Sequence, residues 1–370
     1  MIFEQVKIEN LRNIKSLEFT PTPGFNLITG ANGVGKTALL EAIHVVVRGR
    51  SFRTNLTDSL IQHDQAGFLV YSRVHDGFRN VSLAVQKSLQ QPVRMKFANE
   101  VIQRISTVAQ AIPVQSIQPT IADLVFGSPR IRREWLDWGV FHQEPDFHMA
   151  TRRWRRSMEQ RNAALRQGDA NAAVSWDASL GKYGDVVTDY RRSYLEKLQP
   201  FLDQALSELS VNLKLDLSLV QGFSGSSLAE DLKRSFTRDL QLRVTQAGPQ
   251  RADVRLRLRV DKEVLTDASP TLSRGQGKIA AYAMKIAETK MLKIMNKCTL
   301  YLIDDIDSEL DEHHLNKLIE LLMATDAQVI ATTTSSPSKF TNLNQLDSAT
   351  TGVFKLQEDA SDLVKLGVNI

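Results

Sequence analysis

Residues 30–37, GANGVGKT, constrain the fold of this chain more than any other segment. They match the pattern G-x-x-x-x-G-K-[ST], in which glycines let successive backbone N–H groups wrap around a phosphate. The apolar run FNLIT precedes the loop at 25–29, and residues 36–48 follow it without Gly or Pro and with apolar residues at helical spacing. This order of strand, loop and helix predicts a nucleotide-phosphate site at a helix N-terminus.

Two side chains of this loop have chemistry of their own. Lys36 is expected to bridge the β- and γ-phosphates, and the hydroxyl of Thr37 is expected to ligate Mg²⁺. The alternative is a glycine-rich turn without a ligand, which the complete motif and its flanking elements disfavour. The predicted cofactor-binding residues of the loop and first helical turn are Gly30, Ala31, Asn32, Gly33, Val34, Gly35, Lys36, Thr37 and Ala38.

A second element of the predicted site lies far along the chain and is acidic. There the apolar run LYLI at 300–303 ends in Asp304 and Asp305. A carboxylate at a strand tip can hold Mg²⁺, so Asp304 is predicted to act there, and Asp305 to orient or deprotonate the attacking water. Lys36, Asp304 and Asp305 form the predicted catalytic group. The alternative is an acidic pair that only caps the next helix.

Residues 272–278, LSRGQGK, stand about thirty residues before that acidic pair and lead directly into a helical pattern. A serine hydroxyl and glycine amides at a helix N-terminus can bind an anion. Because the chain already has a phosphate loop, a second anion site is best explained if it completes a nucleotide site on another copy. A simple helix cap is the alternative.

Arginines cluster in the middle of the chain, where residues 130–166 contain nine arginines and five acidic residues. Low β-branched content predicts long helices there. Arginine charge can neutralise DNA phosphates, and no residue pattern here suggests contacts to base edges, so any DNA contact is predicted to be with the backbone. A solvated helix face, or packing of the arginines against the protein, could also explain the charge. Trp135, Trp138 and Trp154 lie among these arginines, either as stacking surface or, more commonly at helical spacing, as core anchors. The predicted DNA-binding residues are Arg152, Arg153, Arg155 and Arg156, with an alternating stripe of Arg255, Arg257 and Arg259 as a further candidate.

Composition excludes several classes of protein. With 46 Lys and Arg against 42 Asp and Glu, the net charge is only +4, so charge has meaning here only where it clusters. A single cysteine, Cys298, excludes an internal disulfide framework. No apolar run reaches the roughly 20 residues that span a bilayer, and charged residues interrupt the first ten positions. We therefore expect a soluble, cytoplasmic protein without a membrane partner.

The phosphate loop, the LSRGQGK segment and the acidic strand end resemble, in this order, the head of ABC-type ATPases. The particular forms of the segments resemble the RecF family of SMC-like ABC ATPases over nearly the whole chain. The segments that carry this resemblance are IENLRNI (8–14), GANGVGKTALLEAI (30–43), GRSFRT (49–54), GSPRIRREWLDWG (127–139), QRNAALR (160–166), AGPQRAD (247–253), TLSRGQGK (271–278) and LIDDIDSELD (302–311).

The resemblance implies an α/β fold, namely an ABC-type P-loop ATPase head with an inserted, mainly helical lobe. The expected divisions are a Walker A part at 1–122, the helical arm lobe at 123–243, and a signature and Walker B part at 244–370. Length alone would suggest two consecutive domains. The resemblance instead implies one head that is split by the inserted lobe.

The resemblance also assigns residues outside the phosphate loop. Arg12 matches an arginine that lies near the nucleotide phosphates in SMC-like heads, and Gln118 matches the Q-loop residue, which would bind cofactor and metal. Thr333 or Thr334 stands where transporters have a switch histidine. The segment 308–311 matches the loop that lines the dimer seam, and Gln250 replaces a frequent histidine. Ser273, Gly275 and Gln276 match the signature residues that reach the γ-phosphate bound by the opposite protomer.

The implied function is an ATP-dependent DNA-binding switch in recombinational gap repair and replication-fork maintenance. ATP with Mg²⁺ would close a homodimer around DNA near single-strand gaps, and weak, DNA-stimulated hydrolysis would release it. RecO and RecR would be the partners that help load the recombinase. The alternative, an ABC transporter ATPase subunit, would not need the arginine-rich insertion.

Overall fold

The computed structural model describes residues 1–209, 213–260, 263–340, 343, 347–357 and 360–366. The strands are β1 (Ile2–Leu11), β2 (Ile14–Phe19), β3 (Phe25–Thr29), β4 (Gly67–His75), β5 (Asn80–Ser88), β6 (Arg94–Phe97), β7 (Glu100–Val101), β8 (Val114–Ile117), β9 (Leu215–Val220), β10 (Asp253–Val260), β11 (Glu263–Asp267), β12 (Leu300–Ile303), β13 (Gln328–Thr333), β14 (Thr351–Leu356) and β15 (Leu363–Leu366). The helices are α1 (Lys36–Arg48), α2 (Ile105–Ala111), α3 (Asp123–Phe126), α4 (Pro129–Gln143), α5 (Phe147–Gln167), α6 (Ala170–Ser175), α7 (Asp177–Glu208), α8 (Leu228–Leu242), α9 (Ala268–Thr271), α10 (Arg274–Ile294) and α11 (Glu312–Ala324).

The chain forms two compact units. The first consists of Met1–Ile121, Glu208–Ser210 and Thr289–Ile370, and the second of Ala122–Ser207 and Val211–Glu288. The second unit thus extends beyond the expected arm lobe and includes the LSRGQGK segment. Gly277 shows why, since a Cβ on this residue would lie 2.2 Å from the ring of Phe126. The start of α10 therefore packs against α3 within the second unit.

The first unit contains two sheets with α1 between them. One is antiparallel, in the order β2-β1-β4-β5-β6-β7, and the other has the order β15-β14-β3-β13-β12-β8, in which all neighbours but β14 and β15 are parallel. Apolar residues of both sheets and of α1 form one core, with Val70, Leu40 and Ile330 fully buried. α1 is therefore buried on nearly all sides, which its apolar sequence requires.

The parallel strands position the candidate site. Every residue of β3, β12 and β13 is buried, as expected for central parallel strands covered on both faces. Because the carboxyl ends of parallel strands meet at one edge of a sheet, the segments after β3, β8, β12 and β13 come together. The phosphate loop follows β3, Gln118 follows β8 and the acidic pair follows β12. The end of β13 lies at the same edge.

The second unit combines helices with the small antiparallel sheet β11-β10-β9. Arg161 of α5 is fully buried and donates to Asp177 of α7 at 2.7 Å, to Asp239 of α8 at 2.7 Å and to Thr245 at 2.9 Å. Two carboxylates and a hydroxyl compensate most of this buried guanidinium, while its Nη2 has no hydrogen-bond partner within the described residues. Arg161 therefore ties three helical segments together from the inside.

The tryptophans among the arginines are mainly structural. Trp135 and Trp154 are each 3% exposed, so their rings pack in the core of the second unit. Trp138 is half-buried, with the ammonium of Lys285 5.6 Å from its ring centroid. Across the part of the chain that the structure describes, no helix has both the length and the apolar character needed to cross a bilayer.

Candidate nucleotide site

The phosphate loop joins β3 to α1 and adopts the backbone that its glycines allow. Gly33 has φ 80° and Gly35 has φ 118°, a region that residues with a side chain rarely enter. A Cβ on Gly35 would also meet the amide group of Asn13 at 3.2 Å. Asn13 itself donates to the carbonyl of Gly33 at 3.1 Å, so the β1–β2 turn supports the loop from outside.

The N-terminus of α1 is suited to an anion. Its first turn has no acidic residue, and no side-chain cap hydrogen bond is found at its start within the described part of the chain. Uncapped N–H groups and the helix dipole together favour a phosphate at this position. Ala31, Asn32 and Gly33 are exposed at the tip of the loop, whereas Val34 and Ala38 are buried and anchor it.

Lys36 closes the loop in this structure. Its ammonium donates to the carbonyl oxygens of Gly30 and Ala31, each at 2.7 Å. Burial lowers the pKa of Lys36, and the carboxylates of Asp305 and Asp304 oppose that shift. The lysine thus lies between the phosphate loop and the two aspartates. Phosphate oxygens could replace the two carbonyl oxygens as its hydrogen-bond acceptors.

Thr37 and Asp304 are in direct contact. The Thr37 hydroxyl lies 3.0 Å from Oδ1 and 2.9 Å from Oδ2 of Asp304. A hydroxyl and a carboxylate are the hard oxygen ligands that Mg²⁺ prefers, usually alongside phosphate oxygens and water. The donor set present therefore fits a magnesium ion held between the loop and the strand end.

Asp305 and Gln118 border this pair. Asp305 follows Asp304 in a turn with φ 55°, and its N–H donates to the hydroxyl of Thr332 at 2.9 Å. Gln118 comes directly after β8, where the carbonyl of Ile117 accepts the N–H of Asp304 at 2.8 Å. The end of β8 thus lies beside the acidic turn, as a Q-loop role would require.

Arg12 contacts the helix after the loop rather than the loop itself. Its guanidinium donates to both carboxylate oxygens of Glu41, at 2.9 and 3.0 Å, and to the carbonyl of Ser59 at 2.9 Å. Glu41 is fully buried and also accepts from Ser51. The hydrogen bonds to Glu41 raise the pKa of Arg12. This arginine therefore neutralises a buried carboxylate of α1.

The signature segment begins α10 with a reciprocal cap. The N–H of Ser273 donates to Oε1 of Gln276 at 3.0 Å, and the N–H of Gln276 donates to Oγ of Ser273 at 3.2 Å. This is a capping box, the arrangement in which serine and glutamine satisfy two helix-terminal donors. Ser273 and Gln276 are exposed, Gly275 is half-buried, and a Cβ on Gly275 would meet no neighbour within 4 Å. The Ser273 oxygen accepts in the cap, so its proton is not used there.

The four candidate DNA-binding arginines are exposed on α5. Arg153 donates to the hydroxyl of Tyr183 at 2.9 Å and lies over its ring. Arg152, Arg155 and Arg156 form no ion pair within the described residues. An open concavity on this face is lined by His148, Thr151, Arg152, Arg155, Arg156, Glu159 and Gln160.

Other arginines, from the central cluster and from the alternating stripe, are largely paired. Arg132 is 9% exposed and forms a two-point ion pair with Asp253, at 2.7 and 2.9 Å. Arg255 lies 3.8 Å from Asp267. Arg259 pairs with Asp216 in the neighbouring strand. The charge of these arginines is neutralised by carboxylates within the protein. The spacing of arginines along the sequence does not reveal such ion pairs.

The contacts of three residues of the site could not be predicted from the motifs. Asn13 supports the phosphate loop, Thr332 contacts the acidic turn, and Asp307 accepts from Thr333 at the end of β13 and from Ser335 just beyond it. The hydroxyl of Thr333, a candidate for the switch position, donates to Asp307 at 2.7 Å, and Thr334 is exposed. The run TTT at 332–334 signals polar residues at a strand end, but not their partners.

Comparisons with known proteins agree with this architecture. The family model of the RecF/RecN/SMC N-terminal domain matches residues 2–361. A protein of Marinomonas sp. (strain MWYL1) named DNA replication and repair protein RecF is 36% identical over 332 residues, or 89% of either chain. Its namesake in Shewanella frigidimarina (strain NCIMB 400) is 36% identical over 335 residues, or 90% of this chain and 92% of that protein.

Solved structures show the same fold. The recombination mediator protein RecF, solved with ATP in the RecFOR pathway, superposes with a TM-score of 0.84 at 24% identity, over 99% of this chain and 98% of that chain. An SMC head bound to the C-terminal winged-helix domain of ScpA superposes with a TM-score of 0.62 at 15% identity, over 99% and 98% of the two chains. These likenesses confirm the expected ABC-type ATPase fold, and the chain belongs to the RecF family of SMC-like ABC ATPases.

Proposed function

We propose that this protein is an ATP-dependent DNA-binding switch that acts in recombinational gap repair and replication-fork maintenance. The observation that carries the proposal is the contact between Thr37 and Asp304, which joins the phosphate loop and the acidic strand end in one site. In a chain of the RecF family, this geometry is best explained by binding and hydrolysis of ATP. The names of the relatives, DNA replication and repair protein RecF, support the biological setting.

The residues of the site divide the chemistry among them. Backbone N–H groups of residues 33–38 would bind phosphate oxygens, and Lys36 would exchange its two carbonyl acceptors for β- and γ-phosphate oxygens. Thr37 and Asp304, with Gln118 beside them, would hold Mg²⁺. The ion would draw charge from the phosphates during transfer. Asp305 would orient the attacking water or accept its proton.

The signature segment would complete the site of a second copy. Ser273, Gly275 and Gln276 stand at the exposed N-terminus of α10, where a hydroxyl and backbone amides can meet a γ-phosphate. ATP would then favour the closed homodimer because it contacts both protomers only in that state. Hydrolysis would remove the γ-phosphate and with it the contact that favours the closed dimer. By its motifs we assign the ATPase head to residues 1–122 and 244–370, with 123–243 as the inserted arm lobe. Of that head, residues 244–288 lie in the second compact unit.

DNA would bind through its backbone. Arg152, Arg155 and Arg156 are exposed and free of internal ion pairs among the described residues, so their charge is available to phosphates. Arg153 is exposed beside them but also contacts Tyr183. The proposed target is double-stranded DNA next to a single-stranded gap, and the proposed partners are RecO and RecR. The proposed setting is the cytoplasm, without a membrane partner.

Two measurements test this function. Light scattering with and without ATP and Mg²⁺ should show a dimer only with nucleotide, and duplex DNA should raise a weak rate of ATP hydrolysis. A protein that stays monomeric in both states, at concentrations well above those that bind DNA, would contradict the closure step. Hydrolysis that duplex DNA leaves unchanged would contradict the coupling to DNA.

A further inference from the structure

Thr332, at the end of β13, contacts the acidic turn at three points. Its hydroxyl donates to Oδ1 of Asp304 at 2.8 Å. The same oxygen accepts the N–H of Asp305 at 2.9 Å, and the Thr332 carbonyl accepts the N–H of Ile306 at 3.0 Å. Thr332 is fully buried, so water does not compete for these bonds. One residue thus holds three consecutive residues of the turn.

The turn needs this support because of its backbone. Asp305 has φ 55°, a left-handed conformation that is uncommon for residues other than glycine. Aspartate tolerates this conformation better than most residues, but a neighbouring contact must still favour it over the alternatives. The bond from the Asp305 N–H to Thr332 is such a contact, and the direction of the Asp305 carboxylate depends on that backbone.

The hydroxyl contacts both aspartates through different atoms. A threonine hydroxyl has one proton to donate and lone pairs that accept. The proton goes to the Asp304 side chain and a lone pair goes to the Asp305 backbone. β12 and β13 are parallel, with Ile303 opposite Ala331, so the next residues along, Asp304 and Thr332, are neighbours.

A separate cluster anchors the chain just beyond the turn. Asp307 is 7% exposed and accepts from Thr333 at 2.7 Å, from Ser335 at 2.6 Å and from Lys339 at 3.0 Å. The ends of the two segments therefore remain joined when the Thr332 hydroxyl is removed. For this reason a variant at Thr332 should alter the turn without separating it from β13.

We propose that Thr332 is a positioning residue, whose hydroxyl sets the orientation of Asp304 toward the metal and of Asp305 toward the attacking water. The inference rests on the proposed function and adds to it a group outside the Walker motifs and the signature segment. Thr332 does not touch nucleotide in this role. It acts through the two aspartates, so it should affect metal binding and turnover rather than binding of nucleotide without metal.

Three substitutions separate the hydroxyl from side-chain shape. Thr332→Val keeps the branched shape and removes the hydroxyl, and Thr332→Ser keeps the hydroxyl. Thr351→Val is the matched control, because Thr351 is fully buried on β14 of the same sheet and its hydroxyl has no hydrogen-bond partner among the residues that the structure describes. Circular dichroism and thermal melting check the fold of each variant. If Thr332→Val does not fold, Thr332→Ala takes its place.

The readouts are Mn²⁺ binding, followed by electron paramagnetic resonance with a non-hydrolysable ATP analogue, and kcat and KM for ATP. Groups that orient metal ligands are commonly worth about 10- to 100-fold, so Thr332→Val should weaken Mn²⁺ binding and lower kcat by about that factor. Nucleotide affinity in EDTA should stay unchanged, and Thr332→Ser and Thr351→Val should resemble the parent.

Other outcomes are equally decisive. Unchanged Mn²⁺ binding and kcat in Thr332→Val, or a Thr332→Ser protein as impaired as Thr332→Val, would overturn the role of the hydroxyl. A parent protein without any ATP turnover would instead overturn the proposed function. The Mn²⁺ measurement would still decide whether Thr332 orients Asp304.

Discussion

The hydroxyl of Thr37 lies 2.9 Å and 3.0 Å from the two carboxylate oxygens of Asp304, although 267 positions separate the residues in the sequence. β3 and β12 are not neighbours, since β13 lies between them. The phosphate loop therefore reaches across the end of β13 to meet the acidic turn. Thr332 of β13 lies at the same place, with its hydroxyl 2.8 Å from Asp304.

Asp304→Asn should separate metal binding from nucleotide binding. The amide keeps the shape of the side chain and can still accept a hydrogen bond from Thr37, but it removes the negative charge that attracts Mg²⁺. A fluorescent ATP analogue should bind equally well to the parent and the variant in EDTA. The gain in affinity on adding Mg²⁺ should occur only in the parent. The exposed residue Asp64, changed to Asn, is the control. An equal gain in nucleotide affinity on adding Mg²⁺ in the parent and in Asp304→Asn would contradict the metal role of Asp304.

Lys36→Met should weaken nucleotide binding by about 10- to 100-fold, the usual value of a charge-assisted contact to phosphate. Methionine removes the ammonium that now closes the loop on Gly30 and Ala31. Titration of a fluorescent ATP analogue measures the loss. Lys15→Met, at an exposed position on β2, should leave the affinity unchanged. Nucleotide affinity equal to that of the parent would exclude the role given to Lys36.

Ser273→Arg should abolish ATP-dependent dimerisation while nucleotide binding survives. The long cation would occupy the exposed N-terminus of α10, where the proposed γ-phosphate of the second copy lies. Light scattering with ATP measures the mass, and nucleotide titration checks binding. Ser226→Arg adds the same charge at another exposed serine of the second unit. A Ser273→Arg protein that dimerises like Ser226→Arg would argue against a signature contact.

Replacing Arg152, Arg155 and Arg156 by Ala should weaken DNA binding and reduce its dependence on salt. Each lost phosphate contact lowers the slope of log affinity against log salt by about 0.9, so three lost contacts predict a decrease of about 3. Arg166→Ala is the control, because Arg166 is exposed on the same helix. A salt series on duplex DNA gives the slopes. The same slope in the triple variant and the parent would place the DNA elsewhere.

Glu288 should make the stability of the second unit fall as the pH rises. Burial raises the pKa of this α10 carboxyl to about 8, with Lys285 opposing the shift, and Tyr194 contacts it at 3.4 Å. Between the ordinary value of 4.5 and about 8, the folded protein keeps a proton that the unfolded chain releases. The free energy of unfolding should then fall by up to about 1.4 kcal/mol per pH unit.

Urea unfolding between pH 5.5 and pH 8 measures this dependence. All four tryptophans lie in the second unit, so their fluorescence reports on that unit. Glu288→Gln removes the titrating group and should flatten the profile. Identical pH profiles for the variant and the parent would show that another group controls the stability.

Local motifs allowed much of this site to be predicted. Residues 25–48 fold as a contiguous strand, loop and helix, so the phosphate site depends on neighbours in the sequence. The α/β fold that the family resemblance implied is confirmed, with a largely parallel sheet in the first unit. The burial of Trp135 and Trp154 agrees with the helical spacing that favoured core anchors.

The sequence by itself was enough to predict which residues would bind phosphate and metal, because that prediction follows from residue type and local spacing. Only the tertiary structure decided which partner each polar group has. Arg12 pairs with Glu41, Arg132 with Asp253, and Thr332 rather than Thr333 contacts Asp304. These partners come from distant segments, and the packing of the sheets and helices around them selects each pair. A buried charge or hydroxyl is stable only where the fold brings it a partner, and no local pattern contains that information.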